Sequence, residues 1–239
     1  MKRALVTGGT SPLGQAICQQ LVADGLHVIV HTHNNPAKAE AMVADFMTQG
    51  GQAEIWQCDL SCSAKTRTGL ETLLAQGVPQ VIVHNAGTHD DTTLAGMSEA
   101  QWHDVIGISL NGFFNVVQPL LLPLTRTRWG RIIALSSVSA RMGNKGQVNY
   151  AAAKAGLEGA VRSLAREVGS RGITVNAVAP GIIDSPATAA IMTMKDIAAL
   201  VPARRSGKPQ EVADLIAFLA SDKAAYISGQ TIGINGGMA

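Results

Sequence analysis

The sequence predicts a single doubly wound α/β domain over residues 1–239, a parallel sheet with helices on both faces. Three observations predict it. Short β-branched runs alternate with longer helical patterns along the whole chain. The strands are near-continuous Val/Ile runs, as expected where both faces of a sheet are covered. A Gly-rich turn, Thr7 to Gly14, joins the first strand to the first helix.

The elements follow in order. Arg3 to Thr7 reads as a buried strand, and Leu13 to Ala23 as a helix ending at Asp24-Gly25. His27 to Thr32 is a second strand. Pro36 to Thr48 is a second helix, with Pro at its first turn, where a missing N–H costs little. Ala53 to Gln57, Gln80 to His84, Arg131 to Ser136, Gly172 to Val178 and Thr231 to Ile234 supply further strands. Helical stretches lie between them, including Ser98 to about Pro119 and Asn149 to Gly169. The segment 181–207 is the least regular, with Pro186, Pro202 and little amphipathic signal. Such segments serve as lids, which predicts a substrate-binding flap; a pair of small packing helices is compatible with it. No repeat, linker or low-complexity stretch interrupts the chain.

Composition narrows the function. Hydrophobic residues make up 46% of the 239 and charged residues 15%, ample for one large core. A net charge of +2 argues against nucleic acid as the main partner, since phosphate binding needs concentrated basic surface. Cys18, Cys58 and Cys62 show no metal-ligand spacing and cannot all pair, so no metal is expected. Reduced thiols point to the cytoplasm. Lys2-Arg3 and the apolar run after it end at Thr7-Gly8, too early for a signal peptide, and no stretch reads as a membrane span.

Thr7-Gly8-Gly9-Thr10-Ser11-Pro12-Leu13-Gly14 is placed to hold a pyrophosphate at a helix N-terminus. Pro12 suits the first helical position, leaving Leu13 and Gly14 as helix-start donors. Asp59, after the third strand, offers an acceptor to an adenine amino group or else opens the next helix. Asn85-Ala86-Gly87, ending the fourth strand, lets the backbone approach a ribose.

Tyr150 and Lys154 stand four residues apart, on one face of a helix, with Ser137 thirteen residues before the tyrosine. An ammonium beside a phenol favours the phenolate and lowers its pKa, which makes a proton donor for a carbonyl. The Ser137 hydroxyl can hold the carbonyl oxygen. Elsewhere in proteins the same spacing is more often a pair of surface neighbours; its setting, after a strand and behind a phosphate-binding turn, decides for chemistry.

These pieces resemble the short-chain dehydrogenase/reductases, and among them the 3-oxoacyl-(acyl-carrier-protein) reductases. The matching runs are Thr7 to Gly14, Cys58-Asp59-Leu60, Asn85-Ala86-Gly87, Ser136-Ser137, Gly143 to Lys154, Asn176 to Gly181, and Tyr226 to Gly237. The resemblance implies a Rossmann-like sheet of about seven parallel strands, a homotetramer, and carbonyl reduction with a nicotinamide dinucleotide. Tyr150 would donate the proton, Lys154 would tune it and hold the ribose, and Ser137 would orient the carbonyl. Gly8, Thr10, Ser11, Leu13, Gly14, His33, Asn34, Asp59, Leu60, Asn85, Ala86, Gly87, Pro180, Gly181 and Ile183 would line the cofactor. Gln147, Arg128 and Arg171 would meet the substrate and dock an acyl carrier protein.

The chain departs from the pattern in places. The family's fourth catalytic residue, an Asn that holds a relay water behind the lysine, aligns with Ser109. Asn111, about 200° further around a regular helix, is no substitute. Pro12 replaces the middle glycine of the turn, and His84 the first Asn of Asn-Asn-Ala-Gly. Ser11 stands where relatives using NADPH often carry a basic residue. The end of the second strand, Thr32-His33-Asn34-Asn35, has no acidic residue to repel a 2′-phosphate, which favours NADPH over NADH. The bland reading of His31 and His33 is exposed loop polarity. Two other functions compete: reduction of a small free ketone or secondary alcohol, and a degenerate dinucleotide-binding structural subunit.

Overall fold

The computed structural model describes every residue, Met1–Ala239. Seven strands form one parallel sheet: β1 (Arg3–Thr7), β2 (His27–Thr32), β3 (Gln52–Gln57), β4 (Val81–His84), β5 (Gly130–Leu135), β6 (Ile173–Pro180) and β7 (Thr231–Ile234). Their order is β3-β2-β1-β4-β5-β6-β7. The chain winds outward from β1 to β3, then crosses back to β4 and winds the other way. The crevice between β1 and β4, at their carboxyl ends, is where such sheets bind ligands.

Alternate side chains explain the continuous apolar strands. Leu5, Ile29, Ile82 and Ile132 face one core, under α3 (Ser63–Ala75), the long helix ending at Arg126, and the helix beginning at Val148. Ala4, Val6, Val28, Val30, Val81 and Val83 face the other, under α1 (Pro12–Ala23), α2 (Pro36–Thr48) and a late helix, Pro209–Ala220.

Some details differ from the sequence expectation. The helix expected from Ser98 to about Pro119 is one continuous run, Glu99–Arg126, made of α4 (Glu99–Ile106), a π turn (Gly107–Asn111) and α5 (Gly112–Arg126). Pro119 and Pro123 lie inside α5. Each removes one ladder bond, but Phe113, Val116, Val117, Leu120 and Leu124 are buried and hold the helix through both prolines. That run of 28 residues is long and apolar enough to cross a bilayer, contrary to the sequence reading, but here its apolar face packs on the sheet. The segment 181–207 contains α6 (Pro186–Ile191) and α7 (Met194–Leu200), two short helices with exposed Ile191, Met194 and Leu200. Finally, α1 begins at Pro12, one residue before the sequence reading, because Ser11 caps it. The helix Val148–Val168 is α8 below, and Pro209–Ala220 is α9.

Candidate active site

The phosphate-binding turn is held from beneath. Ser11 Oγ accepts the Gly14 N–H at 3.0 Å and donates to Gly8 O at 2.9 Å. Asn85 Nδ2 donates to the carbonyls of Thr7 (3.1 Å) and Gly8 (2.9 Å). The Gly14 N–H, expected as a helix-start donor, is therefore engaged by the cap, and the Ser11 hydroxyl is a brace for the turn. The Thr10 and Leu13 N–H groups donate to no protein acceptor and remain the donors for a ligand. Gly14 itself is required: a Cβ there would lie 2.2 Å from Gly8 O. This cradle of open N–H groups and glycines at a helix start fits a dinucleotide pyrophosphate.

His31 is a residue the sequence reading missed. It is buried, not loop polarity: its Nδ1 accepts from the Gly8 N–H at 3.0 Å, and its Nε2 faces Cys58 O at 3.0 Å. Burial keeps it neutral, with a pKa lowered to about 4. A strand covered on both faces has no polar side to put it on, which was the available signal. His33 and Asn34 are exposed at the rim of a cavity of about 230 Å³ whose wall includes Gly8, Thr10, Asp59, Leu60, Ala86 and Gly87. Asp59 Oδ1 accepts from Ser61 Oγ (2.6 Å) and Ser61 N (3.0 Å), which lowers the carboxyl's pKa. It shapes the turn before α3 without capping that helix, whose N-cap is Cys62, and it lines the cavity wall. Ile183 lines a second cavity with Ser11, Leu13 and Pro186, beside the phosphate turn. Pro180 O and the Gly181 N–H extend the sheet, bonding to Val138 N and Ile234 O.

Beyond the cavity, the end of β5 leads to Ser137, and the first two turns of α8 deliver Tyr150 and Lys154. The Ser137 hydroxyl faces the Tyr150 hydroxyl and favours its phenolate. Lys154 is buried, its Nζ donating to Leu135 O at 2.7 Å and lying 5.5 Å from the Tyr150 ring centre. Burial lowers the ammonium's pKa to about 8. The expectation that the lysine lowers the tyrosine's pKa is corrected: burial raises it, the Ser137 hydroxyl opposes, and Asp91 adds to the rise. With its ammonium turned to Leu135 O, Lys154 does not set that balance. Tyr150 is thus a protonated phenol at neutral pH, the form a donor needs.

Two loops close over the tyrosine. Gln147 Nε2 donates to Asp91 Oδ2 (2.8 Å), and Ser139 Oγ lies 3.1 Å from Gln147 Oε1. Gln147 therefore ties the loop after β4 to the loop before α8. Asn149, buried and also missed, donates to Asp90 O and Gln101 O.

Ser109 sits in the π turn, buried, while Asn111 is exposed on the far side. Its Oγ contacts the Thr88 backbone at 3.4 to 3.5 Å. Arg128 and Arg171 are brought together, since Gly130 N donates to Gly172 O beside them. They lie, however, at the amino ends of β5 and β6. At about 3.3 Å per strand residue, the six residues of β5 put them roughly 20 Å from Ser137. They do not flank their own chain's site.

Known proteins resemble this chain along nearly its whole length. A family profile described as "Enoyl-(Acyl carrier protein) reductase" matches residues 8–239. The chain is 43% identical to the 3-oxoacyl-(acyl-carrier-protein) reductase FabG of Pseudomonas aeruginosa, covering 99% of this chain and 97% of that one. It is 42% identical to the FabG of Staphylococcus aureus (99% and 98% covered) and 39% identical to that of Aggregatibacter actinomycetemcomitans (98% of each). With relatives matched end to end and a parallel sheet that sets Ser137, Tyr150 and Lys154 beside a dinucleotide cleft, the chain belongs to the short-chain dehydrogenase/reductase family.

Proposed function

We propose that this protein reduces a 3-oxoacyl thioester, carried on acyl carrier protein, to the 3-hydroxyacyl thioester with NADPH. The observation that carries the reading is the approach of two hydroxyls, Ser137 and Tyr150, with a buried ammonium behind them. Two hydroxyl donors suit one ketone oxygen, which gains negative charge as its carbon is reduced. When bound, the nicotinamide supplies the hydride. Ser137 holds the oxygen, Tyr150 gives it a proton, and Lys154 keeps positive charge beside the developing anion.

NADPH is favoured because His33 and Asn34, exposed and without side-chain partners, offer N–H groups and no carboxylate at the ribose corner. A carrier protein docked on Arg128 and Arg171 of one chain would serve the site of a neighbouring chain. That arrangement needs a homo-oligomer, and exposed Phe114 and Leu122 on α5 supply apolar surface for a tetramer. Residues 181–207 form the flap over the acyl chain, and the three free cysteines suit the cytoplasm.

Absorbance of NADPH, followed with acetoacetyl and crotonyl thioesters and with free ketones, tests the reading. Oxidation by the 3-oxoacyl thioester supports it. Turnover of the crotonyl thioester alone favours the enoyl reduction named by the family profile, and turnover of free ketones alone favours the small-ketone reading. NADPH binding without oxidation by any of them leaves a structural subunit.

A further inference from the structure

Two departures from the family pattern, His84 and Ser109, touch each other. His84 is buried, with Nε2 3.2 Å from Ser109 O and Nδ1 3.3 Å from Thr7 Oγ1. The Thr7 hydroxyl already accepts from the Asn85 N–H (3.0 Å) and the Ala86 N–H (2.9 Å), so it donates its own proton to the ring. The ring therefore accepts at Nδ1 and donates from Nε2 to the Ser109 carbonyl. That carbonyl lies in the π turn, where the helical ladder is loosened and side chains can bond into it. The imidazole thus links the end of β1 to the turn that carries Ser109.

The Ser109 hydroxyl faces a gap. A methyl group on Gly87 would lie 3.1 Å from Lys154 Nζ and 3.3 Å from Ser109 Oγ, and Gly87 itself is exposed. The missing Cβ leaves a space about one atom wide between a buried ammonium and a hydroxyl, open towards solvent. Lys154 Nζ spends one proton on Leu135 O and has two more to offer.

We propose that His84 is a positioning residue: it fixes the π turn so that Ser109 Oγ borders the Gly87 gap, where Lys154 exchanges protons with water. The inference rests on Tyr150 being the proton donor. As hydride reaches the carbonyl carbon, the Tyr150 O–H bond breaks and its proton goes to the carbonyl oxygen. The phenolate is made good from the Lys154 ammonium. The neutral amine then takes a proton from a water in the gap, releasing hydroxide to solvent. Without the imidazole, the π turn is free to shift, and the last of these transfers slows.

The test compares His84→Asn, His84→Gln, Ser109→Ala and the double variant His84→Asn/Ser109→Ala in the full-length protein. His84→Asn is too short to reach Ser109 O, whereas His84→Gln keeps an N–H at that reach. We expect His84→Asn to lower kcat about tenfold, with KM and NADPH affinity within twofold. It should also raise the solvent deuterium isotope effect and shift the alkaline limb of the pH–kcat profile. His84→Gln should recover most of kcat, and the double variant should be no worse than the poorer single one. Unchanged kcat, isotope effect and pH limb in His84→Asn would overturn the role. So would a loss of kcat in proportion to thermal stability with the pH limb unmoved, which marks a structural residue. Where His84→Asn does not fold, Ser109→Ala carries the same readouts, and an unmoved pH limb and isotope effect there overturn the proposal. A wild-type chain that reduces no carbonyl defeats the functional reading instead, so the two failures are distinguishable.

Discussion

His31 Nδ1 accepts a hydrogen bond from the Gly8 N–H at 3.0 Å, while the opposite edge of the same ring meets Cys58 O at 3.0 Å. One buried imidazole thus joins the phosphate-binding turn to the segment that leads into Asp59. Gly8, at φ +62, takes a backbone conformation that side-chain-bearing residues rarely adopt, and the imidazole gives its half-buried N–H an acceptor. The two halves of the dinucleotide cleft are positioned together.

Replacing His31 with Phe keeps the ring and removes both polar edges. The Cys58 carbonyl would lose its partner, and a buried polar group left unpaired costs about 1–3 kcal/mol, so the melting temperature should fall. NADPH affinity should weaken about tenfold or more, with kcat at saturation nearly unchanged. Fluorescence titration and steady-state kinetics measure the two; a kcat loss without an affinity loss would count against the clip.

Stability should fall steeply in mild acid. His31 and His84 have folded pKa values lowered to about 4 and about 3 from 6.5, chiefly by burial. The unfolded chain therefore binds protons first. Their contribution is complete above pH 6.5 and is lost as pH falls from there towards the folded values. Between pH 6.5 and 4 both act, giving a slope of up to ~2.7 kcal/mol per pH unit. Urea melts at pH 7, 6 and 5 read it directly, and His31→Phe should halve the slope.

Gly14→Ala should remove dinucleotide binding. Its Cβ would meet Gly8 O at 2.2 Å and Gly9 Cα at 2.8 Å, backbone atoms that cannot swing aside. The turn must open, and the Leu13 N–H moves with it. Gly169→Ala is the control: φ is −56 and nothing lies within 4 Å of its Cβ, so it should be neutral or stabilise by about 0.5–1 kcal/mol. Calorimetric NADPH titration of both variants checks the contrast.

What was legible in the sequence was whatever local pattern dictates. Val/Ile runs set the strands, and the i, i+4 spacing of Tyr150 and Lys154 set one catalytic face. What stayed hidden depends on long-range partners. His31 and His84 look like ordinary polar residues at strand ends, and their roles come from Cys58, Gly8, Thr7 and Ser109, which the sheet brings together. Pro119 reads as a helix stop because local propensity says so, and the buried side chains of α5 override it. The direction of the Tyr150 shift was missed for the same reason, since spacing shows that Lys154 is near and not that its ammonium turns to Leu135 O.

Carbonyl reduction should fade above about pH 8. Lys154 is charged below a pKa lowered to about 8 by burial, and the reduction draws on that charge and its proton. As pH rises through 8 the ammonium is lost, and kcat for reduction should fall about tenfold per unit. Lys154→Met should cost 10²–10⁴-fold at pH 7, in the range expected for loss of positioned acid–base catalysis, as should Tyr150→Phe. Stopped-flow NADPH oxidation across pH 6 to 10 gives the profile. A flat profile to pH 10 would mean that Lys154 stays protonated and that its burial is relieved on binding.

Dinucleotide preference should follow charge at the end of β2. His33 is exposed at the cavity rim and meets no acid except through the field of Asp59 across the mouth. Substituting His33→Asp places a carboxylate where a 2′-phosphate would lie, and like charges at such range cost several kcal/mol unless solvent intervenes. The rim is open, so solvent screening reduces the penalty, and a loss of about 10–100-fold in kcat/KM for NADPH is expected. NADH should be unaffected or improved, because a carboxylate accepts from a ribose 2′-hydroxyl. Measuring kcat/KM for both dinucleotides at 50 and 300 mM salt separates charge from shape. An electrostatic preference shrinks with salt, and a His33→Asp variant that loses NADPH and NADH equally would place the ribose corner elsewhere.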